Sequence, residues 1–344
     1  MNFSIYNKHI YLDTARSSGL YQELLEWRNN HDKKLCESGS QFRNNNDLFI
    51  KNLKNSIARF FHTEQSSVYL TQSFSSGFKS LLSILNPNLK FLLINNDYPS
   101  IIQQVKINGF DYKLINNDYN IEQLILESIE TSKPQVLVLS IVQYIDGLLI
   151  NLEFLKIIKK KFPELLIIAD GTQFCGTTDF NFENSAIDVL VTSGYKWLYS
   201  GYGNGLILIK RKFVQNFVKK KIMAMDNSLF ISAFEPGNID TLNFGSLLFS
   251  INLISKIGIG NIEKTIKKLS NYANERFTSS DLLEKKILKR KDHSNIFNLK
   301  GNDLLHKKLI KNNIICSKRG DGIRVSFSFL NKKKEIDMLT NYFN

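Results

Sequence analysis

Residues 165–197 read LLIIADGTQFCGTTDFNFENSAIDVLVTSGYKW, and two short apolar runs in this stretch decide the fold. Leu165-Leu166-Ile167-Ile168-Ala169 is apolar at every position, the pattern of a strand covered on both faces, and Asp170 stands at its carboxyl end. Val189-Leu190-Val191 repeats the arrangement and opens into Thr192-Ser193-Gly194-Tyr195-Lys196-Trp197. In an open parallel sheet the carboxyl ends of strands border the ligand crevice, so Asp170 and Lys196 are expected to reach one bound molecule. Singly, an aspartate after a strand is a cap or turn residue and a lysine is a solvated cation. The ordered set of Asp170, Gln173, Ser193 and Lys196 between two strands is what marks a site.

A buried amine and a buried carboxylate suit pyridoxal 5′-phosphate. The amine joins the aldehyde as a Schiff base, and the carboxylate keeps the pyridine nitrogen protonated so that the ring accepts electrons from a substrate α-carbon. The spacing Asp170-x-x-Gln173, a strand, then Ser193-x-x-Lys196 resembles class V aminotransferases and cysteine desulfurases. The resemblance covers about residues 10–340. It implies a fold type I α/β architecture: a large domain (20–240) with a mainly parallel seven-stranded sheet between helices, and a small α+β domain (1–19 with 241–344). It also implies roles, with Lys196 holding the cofactor aldehyde, Asp170 the ring nitrogen and Gln173 the phenolic oxygen. Ser193 and Tyr195 are then expected at the phosphate.

Read in order, the chain agrees. His9–Asp13 is a short extended segment leading to Arg16; it resembles the family's opening segment beside the substrate pocket, which makes Arg16 a candidate for a substrate anion, where the residue alone reads as a surface arginine in a loop. Residues 20–36 and 46–62 read as helices, the second apolar through Leu48, Ile50, Leu53, Ile57, Ala58 and Phe61. The strand Val68-Tyr69-Leu70 runs through Thr71-Gln72-Ser73-Phe74-Ser75-Ser76-Gly77 into a helix. A small, hydroxyl-rich turn of this kind offers amide donors and a helix N-terminus to a phosphate. It resembles the family's phosphate loop in place, and that resemblance makes Phe74 and Ser75 the candidates, where the turn alone makes Ser75 an N-cap. Strands at 90–95, 111–115 and 135–141 then alternate with helices at 99–108, 120–131 and 151–161, which calls for a parallel sheet covered on both sides.

The resemblance assigns further residues. Tyr98 stands where the family stacks an aromatic ring on the cofactor, and where desulfurases carry histidine. Gln143 or its neighbour Tyr144 occupies a stretch that touches cofactor or substrate. Phe234-Glu235-Pro236-Gly237-Asn238 resembles a segment that reaches the partner subunit's cofactor phosphate, with Asn238 in place of threonine, and so implies a homodimer with shared active sites. In Gly322–Phe329 the strict alternation faces Ile323, Val325, Phe327 and Phe329 to the core. By periodicity alone Arg324 is an exposed strand residue, and by the resemblance it is the arginine that holds the substrate carboxylate.

Composition bounds these readings. A chain of 344 residues, 43% hydrophobic, is ample for a large core. No apolar run is long enough for a membrane span and the N-terminus lacks a signal-like core, so a cytoplasmic protein is expected. Three cysteines without a CxxC pair point to reduced thiols, and the five scattered histidines form no metal motif. The net charge of +13 lies in lysine clusters such as Lys219-Lys220-Lys221 and Lys332-Lys333-Lys334, without interleaved aromatics; these read as solvated faces, not a nucleic-acid surface.

The expected reaction is therefore at the α-carbon of an amino acid, with transamination first and C–S lysis, desulfuration or epimerisation as alternatives. Cysteine desulfurases carry a nucleophilic cysteine on a loop ahead of the carboxylate arginine. Here Asn313–Gly320 leads almost directly into Arg324 without such a loop, Cys316 falls in an apolar, strand-like run as a structural thiol does, and Cys175 is expected beneath the site. Ser193-x-x-Lys196 also fits the SxxK pattern of serine acyl-enzymes, but the companion Lys-Thr-Gly element is missing. A cofactor-binding protein without turnover is the remaining alternative.

Overall fold

The structure, a computed structural model, describes residues 1–219, 231–235 and 237–343. The segment Ile10–Tyr11 forms β1. Seven strands make the central sheet: β2 (Val68–Thr71), β3 (Lys90–Ile94), β4 (Asp111–Ile115), β5 (Val136–Ser140), β6 (Leu166–Asp170), β7 (Val189–Ser193) and β8 (Gly205–Ile209). Their spatial order is β2-β8-β7-β6-β5-β3-β4. The neighbours from β7 to β4 pair in parallel, joined by crossovers, while β8 is antiparallel to both β7 and β2. The link from β7 to β8 is too short for a crossover helix, so the chain turns back on itself there.

Alternation along the strands builds a core on each face. Leu92, Leu137, Ile167 and Leu190 pack on one side, and Phe91, Val138, Ile168 and Val191 on the other. Every position of β5, β6, β7 and β8 is buried, as the unbroken apolar runs require. The helix Asn46–Phe60 buries Leu53, Ile57 and Ala58 as its periodicity predicts, with Phe61 just beyond it, but Leu48 is exposed. The polar linker before it is a 3₁₀ helix, Gly39–Asn45.

A second sheet lies near the C-terminus, where β9 (Ile296–Leu299), β11 (Ser317–Arg319) and β12 (Gly322–Ser326) pair antiparallel in the order β11-β12-β9. The N-terminal segment joins this region, since β1 pairs in parallel with β10 (Ile314–Ile315). The helix Thr241–Ile257 starts at Asp240, whose carboxylate accepts from the Asn243 amide at 2.9 Å. Among the described residues no single helix is long and apolar enough to cross a membrane. Lys220, Lys221 and Pro236 lie outside the described residues.

The reading of β12 needs correction. All five of its residues are buried, and Arg324 is only 2% exposed. One face packs into the small core around Phe277 and Phe297, while the other turns toward the end of the central sheet. Alternation here therefore separates two buried surfaces, not core from solvent.

Candidate active site

The carboxyl ends of β3, β5, β6 and β7 meet the N-terminus of the helix Phe74–Ile84, and the space between them is a cavity walled by Asp170, Gln173, Ser193, Tyr195 and Lys196. Register sets the wall. Ser140 lies beside Asp170, and Asp170 beside Val191, so the residues that follow each strand emerge at one level.

Lys196 is 7% exposed, and its ammonium lies within hydrogen-bonding or ion-pair distance of no partner among the described residues. Burial pulls its pKa down from the ordinary lysine value; Asp170 opposes that shift, while Arg324 and Arg319 add to it. Asp170 is 5% exposed, and one carboxylate oxygen accepts the Thr172 amide at 2.7 Å. Its pKa is pushed up by burial, against the pull of its contacts with Thr172 and the charge of Lys196. The two groups face one cavity without forming an ion pair, which leaves each free to engage a molecule between them.

At the helix N-terminus, Ser73 caps the helix by accepting from the Ser76 amide at 3.2 Å. The Phe74 amide donates to the Ser193 hydroxyl at 2.8 Å, tying the helix start to the end of β7. The Ser75 hydroxyl bonds that of Ser100 at 2.7 Å. The first amides of a helix have no intrahelical acceptor, so this end presents donors and a partial positive charge to an anion. The Tyr195 ring stacks on Tyr202 at 4.8 Å, and burial raises its hydroxyl to about 12.

Gln173 is held at both ends, donating to the Ala15 carbonyl at 2.9 Å and accepting from the Trp197 indole at 2.8 Å. One amide hydrogen remains for a ligand. Tyr98 lines the opposite wall, edge-on to Phe74 and Tyr144. Behind it sits Asp97, a buried carboxylate absent from the sequence-based set. It accepts the Tyr98 amide at 2.6 Å, the Ser140 amide at 2.9 Å and the Ser140 hydroxyl at 2.5 Å. The available signal was an acid just past the apolar run of β3, the pattern that singled out Asp170.

Two expected contacts change, those of Gln143 and Arg16. Gln143 is 1% exposed but not on the cavity wall; its amide turns back to the Ser140 carbonyl at 3.4 Å, and Tyr144 takes the place at the cavity. The loop can turn this way because Gly147 adopts φ +74° with the Ile296 carbonyl where a Cβ would be. Arg16 is exposed and does not reach the wall. Asn238 accepts from Arg43 at 2.5 Å and lies outside this cavity.

Arg324 sits just behind the wall. It donates to the Tyr144 carbonyl at 2.8 Å and lies 3.5 Å from Asp13, whose other oxygen takes the Ser317 hydroxyl at 2.6 Å. Its Nε–H is buried without a partner. The sequence marks Asp13 only as the end of an extended segment, because its partners are some 300 residues away in the chain.

The family model for aminotransferase class-V matches residues 10–339. The chain belongs to the class-V aminotransferase family. No curated protein matches it in sequence. Among solved structures, the cystine C-S lyase C-DES, in complex with its product cysteine persulfide, aligns with a TM-score of 0.85 at 16% identity over 97% of each chain. The apo cysteine desulfurase of Thermococcus onnurineus NA1 aligns at 0.80 and 17% identity, over 99% of this chain and 95% of that one. The Escherichia coli cysteine desulfurase CsdA gives 0.78 and 14%, over 98% and 94%. At such identities the likeness is one of fold.

As a class-V family member, the chain is a pyridoxal 5′-phosphate-dependent enzyme, and the cavity fits that cofactor. An unpartnered Lys196 amine, the Asp170 carboxylate and donors at the helix start line this one cavity, the kinds of group that would hold an aldehyde, a ring nitrogen and a phosphate.

Proposed function

We propose that the chain transaminates an amino acid at its α-carbon. The observation that carries this is the buried Lys196 amine facing Asp170 across one cavity with no ion pair between them. When bound, the cofactor supplies an electron sink for the pair left at the α-carbon. In this reading Lys196 would hold the cofactor aldehyde and, as the free amine, would take the proton from the α-carbon and deliver it on the cofactor side instead of back to the α-carbon. Asp170 holds a proton at the ring nitrogen, and Gln173 donates its free amide hydrogen to the phenolic oxygen. Ser193, Ser75, Tyr195 and the Phe74 end of the helix hold the phosphate. Tyr98 covers one ring face, and Arg324, through its unspent Nε–H, receives the substrate carboxylate.

The same reading makes Asn238 a contact to the cavity of a second copy, hence a homodimer, and places the protein in the cytoplasm, in keeping with its three free thiols. It also divides the chain into a cofactor domain, 20–240, and a smaller domain of 1–19 with 241–344, a division supported by the pairing of β1 with β10.

A second reading is C–S lysis. It is favoured by the fold shared with C-DES and by the absence of any cysteine from the cavity wall, which leaves no enzyme thiol to take up sulfur. The test has two parts. Borohydride reduction of the yellow protein is expected to fix an adduct that peptide mapping places at Lys196; an adduct elsewhere removes the proposal. A panel of amino acids is then scored for products. Keto acid with the side chain intact supports transamination, pyruvate with a sulfur product supports lysis, an inverted α-carbon supports epimerisation, and colour without turnover means a binding protein.

A further inference from the structure

The α-carboxylate accounts for one arginine, but β11 and β12 carry two on the same side. In an antiparallel pair, opposed residues share a face and so do alternate residues along each strand. Ser317 opposes Arg324 and Arg319 opposes Gly322, which puts Arg319 and Arg324 on one face of the small sheet. Arg324 on that face bonds the Tyr144 carbonyl. Arg319 is anchored beside the next residue of the same loop: the Asn298 amide donates to the Arg319 carbonyl at 2.8 Å and to the Ile145 carbonyl at 3.1 Å. Gly320, in the turn, packs so closely that a Cβ there would lie 3.2 Å from the Ile145 side chain. The turn between β11 and β12 is thus fastened to the loop that brings Tyr144 to the cavity.

The side chain of Arg319 is half-buried and spends one N–H on the Lys318 carbonyl at 3.1 Å. No acid lies within ion-pair distance of it among the described residues. Its charge is felt by Lys196, Tyr144 and Arg324 alike. Asp13 partly neutralises Arg324, but among the described residues no acid pairs with Arg319. Two guanidinium groups held near each other repel, and a planar fork with free N–H groups is suited to an anion.

We infer that Arg319 is a second anion receptor at the mouth of the cavity, and that the substrate is an α-amino acid with a distal carboxylate. The inference rests on the proposed α-carbon chemistry, in which Arg324 holds the α-carboxylate. Tyr144, whose carbonyl Arg324 holds and whose side chain lines the cavity, then faces the atoms that link the two carboxylates. A dicarboxylic amino acid and a disulfide-linked double amino acid both carry the required group.

The experiment uses the holoenzyme, wild type and Arg319→Gln, with L-aspartate, L-glutamate and L-cystine against L-asparagine, L-glutamine and S-methyl-L-cysteine. Both turnover and the change in the cofactor's visible band on binding are read. The wild type is expected to favour one acid over its neutral counterpart, and Arg319→Gln to cut that preference by about ten- to a hundredfold, through KM more than kcat. Arg319→Lys, which keeps the charge, is expected to restore part of it. Which acid responds identifies the source of the distal carboxylate. A wild type that favours the neutral partners, or a spectrum that answers none of the three acids, overturns the inference, as does an Arg319→Gln variant that weakens acid and neutral partner equally. A borohydride adduct at Lys196 alongside any of these failures leaves the α-carbon reading standing; a missing adduct removes both.

Discussion

Ser140 and Asp170 stand level at the carboxyl ends of adjacent parallel strands, and the Ile141 amide after Ser140 donates to the Asp170 carbonyl at 3.0 Å. Ser140 also gives its amide and hydroxyl to Asp97, which follows β3. Three strand ends are thus cross-linked in one wall, and two buried carboxylates are fixed in it. Both are buried, so either one, when ionised, acts strongly on whatever the cavity holds.

The first prediction concerns Asp170→Asn. Burial holds the Asp170 pKa above the ordinary value of about 3.9, so the folded chain resists ionising it. The stability tied to the neutral acid is complete below that ordinary value and is lost as pH rises through the raised one. The apoprotein of Asp170→Asn is therefore expected to melt at or above the wild-type temperature at neutral pH, while its turnover collapses. A melting scan of both apoproteins checks this, and a large loss of stability in the variant contradicts it.

Lys196 gives the pH prediction with the opposite sign. Its folded pKa lies below the ordinary value of about 10.4, so between the two values the unfolded chain binds more protons and the apoprotein gains stability as pH rises. Lys196→Met removes that contribution. The difference in melting temperature between variant and wild type is expected to shrink across this alkaline window. Cofactor loading of the wild type should likewise accelerate with pH and level off below the ordinary lysine range; levelling only near that range would argue against a buried neutral amine.

Asp97→Ala is expected to loosen Tyr98, whose amide it accepts at 2.6 Å, and to leave the Ser140 amide and hydroxyl without their acceptor. Lost hydrogen bonds of this kind cost about 1–3 kcal/mol each when a buried group is left unpaired. Besides lower stability, the visible band of the loaded protein should shift or broaden, since Tyr98 lines the cavity. An unchanged spectrum with lowered stability would make Asp97 structural only.

What the sequence makes legible here is what local pattern encodes. The apolar runs of β5 to β8, the hydroxyl-rich turn before the helix Phe74–Ile84 and the Asp170–Lys196 spacing are all contiguous, and each appears where its periodicity places it. The burial of Arg324 is not legible, because a period-two pattern reports that two faces differ and not what covers each. Here the second face is covered by Asp13 and the loop at Tyr144, contacts spanning 311 and 180 residues. Local pattern does not choose between Gln143 and Tyr144 for a similar reason: the choice depends on Gly147 packing against Ile296, from the other sheet.

The last prediction separates sulfur uptake by the enzyme from chemistry at the substrate alone. Cys316 is 4% exposed, lies between β10 and β11, and has its thiol pushed by burial to about 12. Cys175 is buried beneath the site and its pKa is raised further still, again by burial. A thiol that attacks a substrate sulfur must reach it and must ionise near neutral pH, and neither group does. Cys316→Ala is therefore expected to keep kcat/KM within about threefold of wild type and to cost about 1 kcal/mol of stability for the small void it leaves. Cys175→Ala, which empties a space that Gly171 and Leu190 approach, is expected to cost more stability but to retain turnover once loaded. Loss of turnover in a folded, loaded Cys316→Ala protein would require a moving loop that brings this thiol to the cavity, and with it a desulfurase reaction.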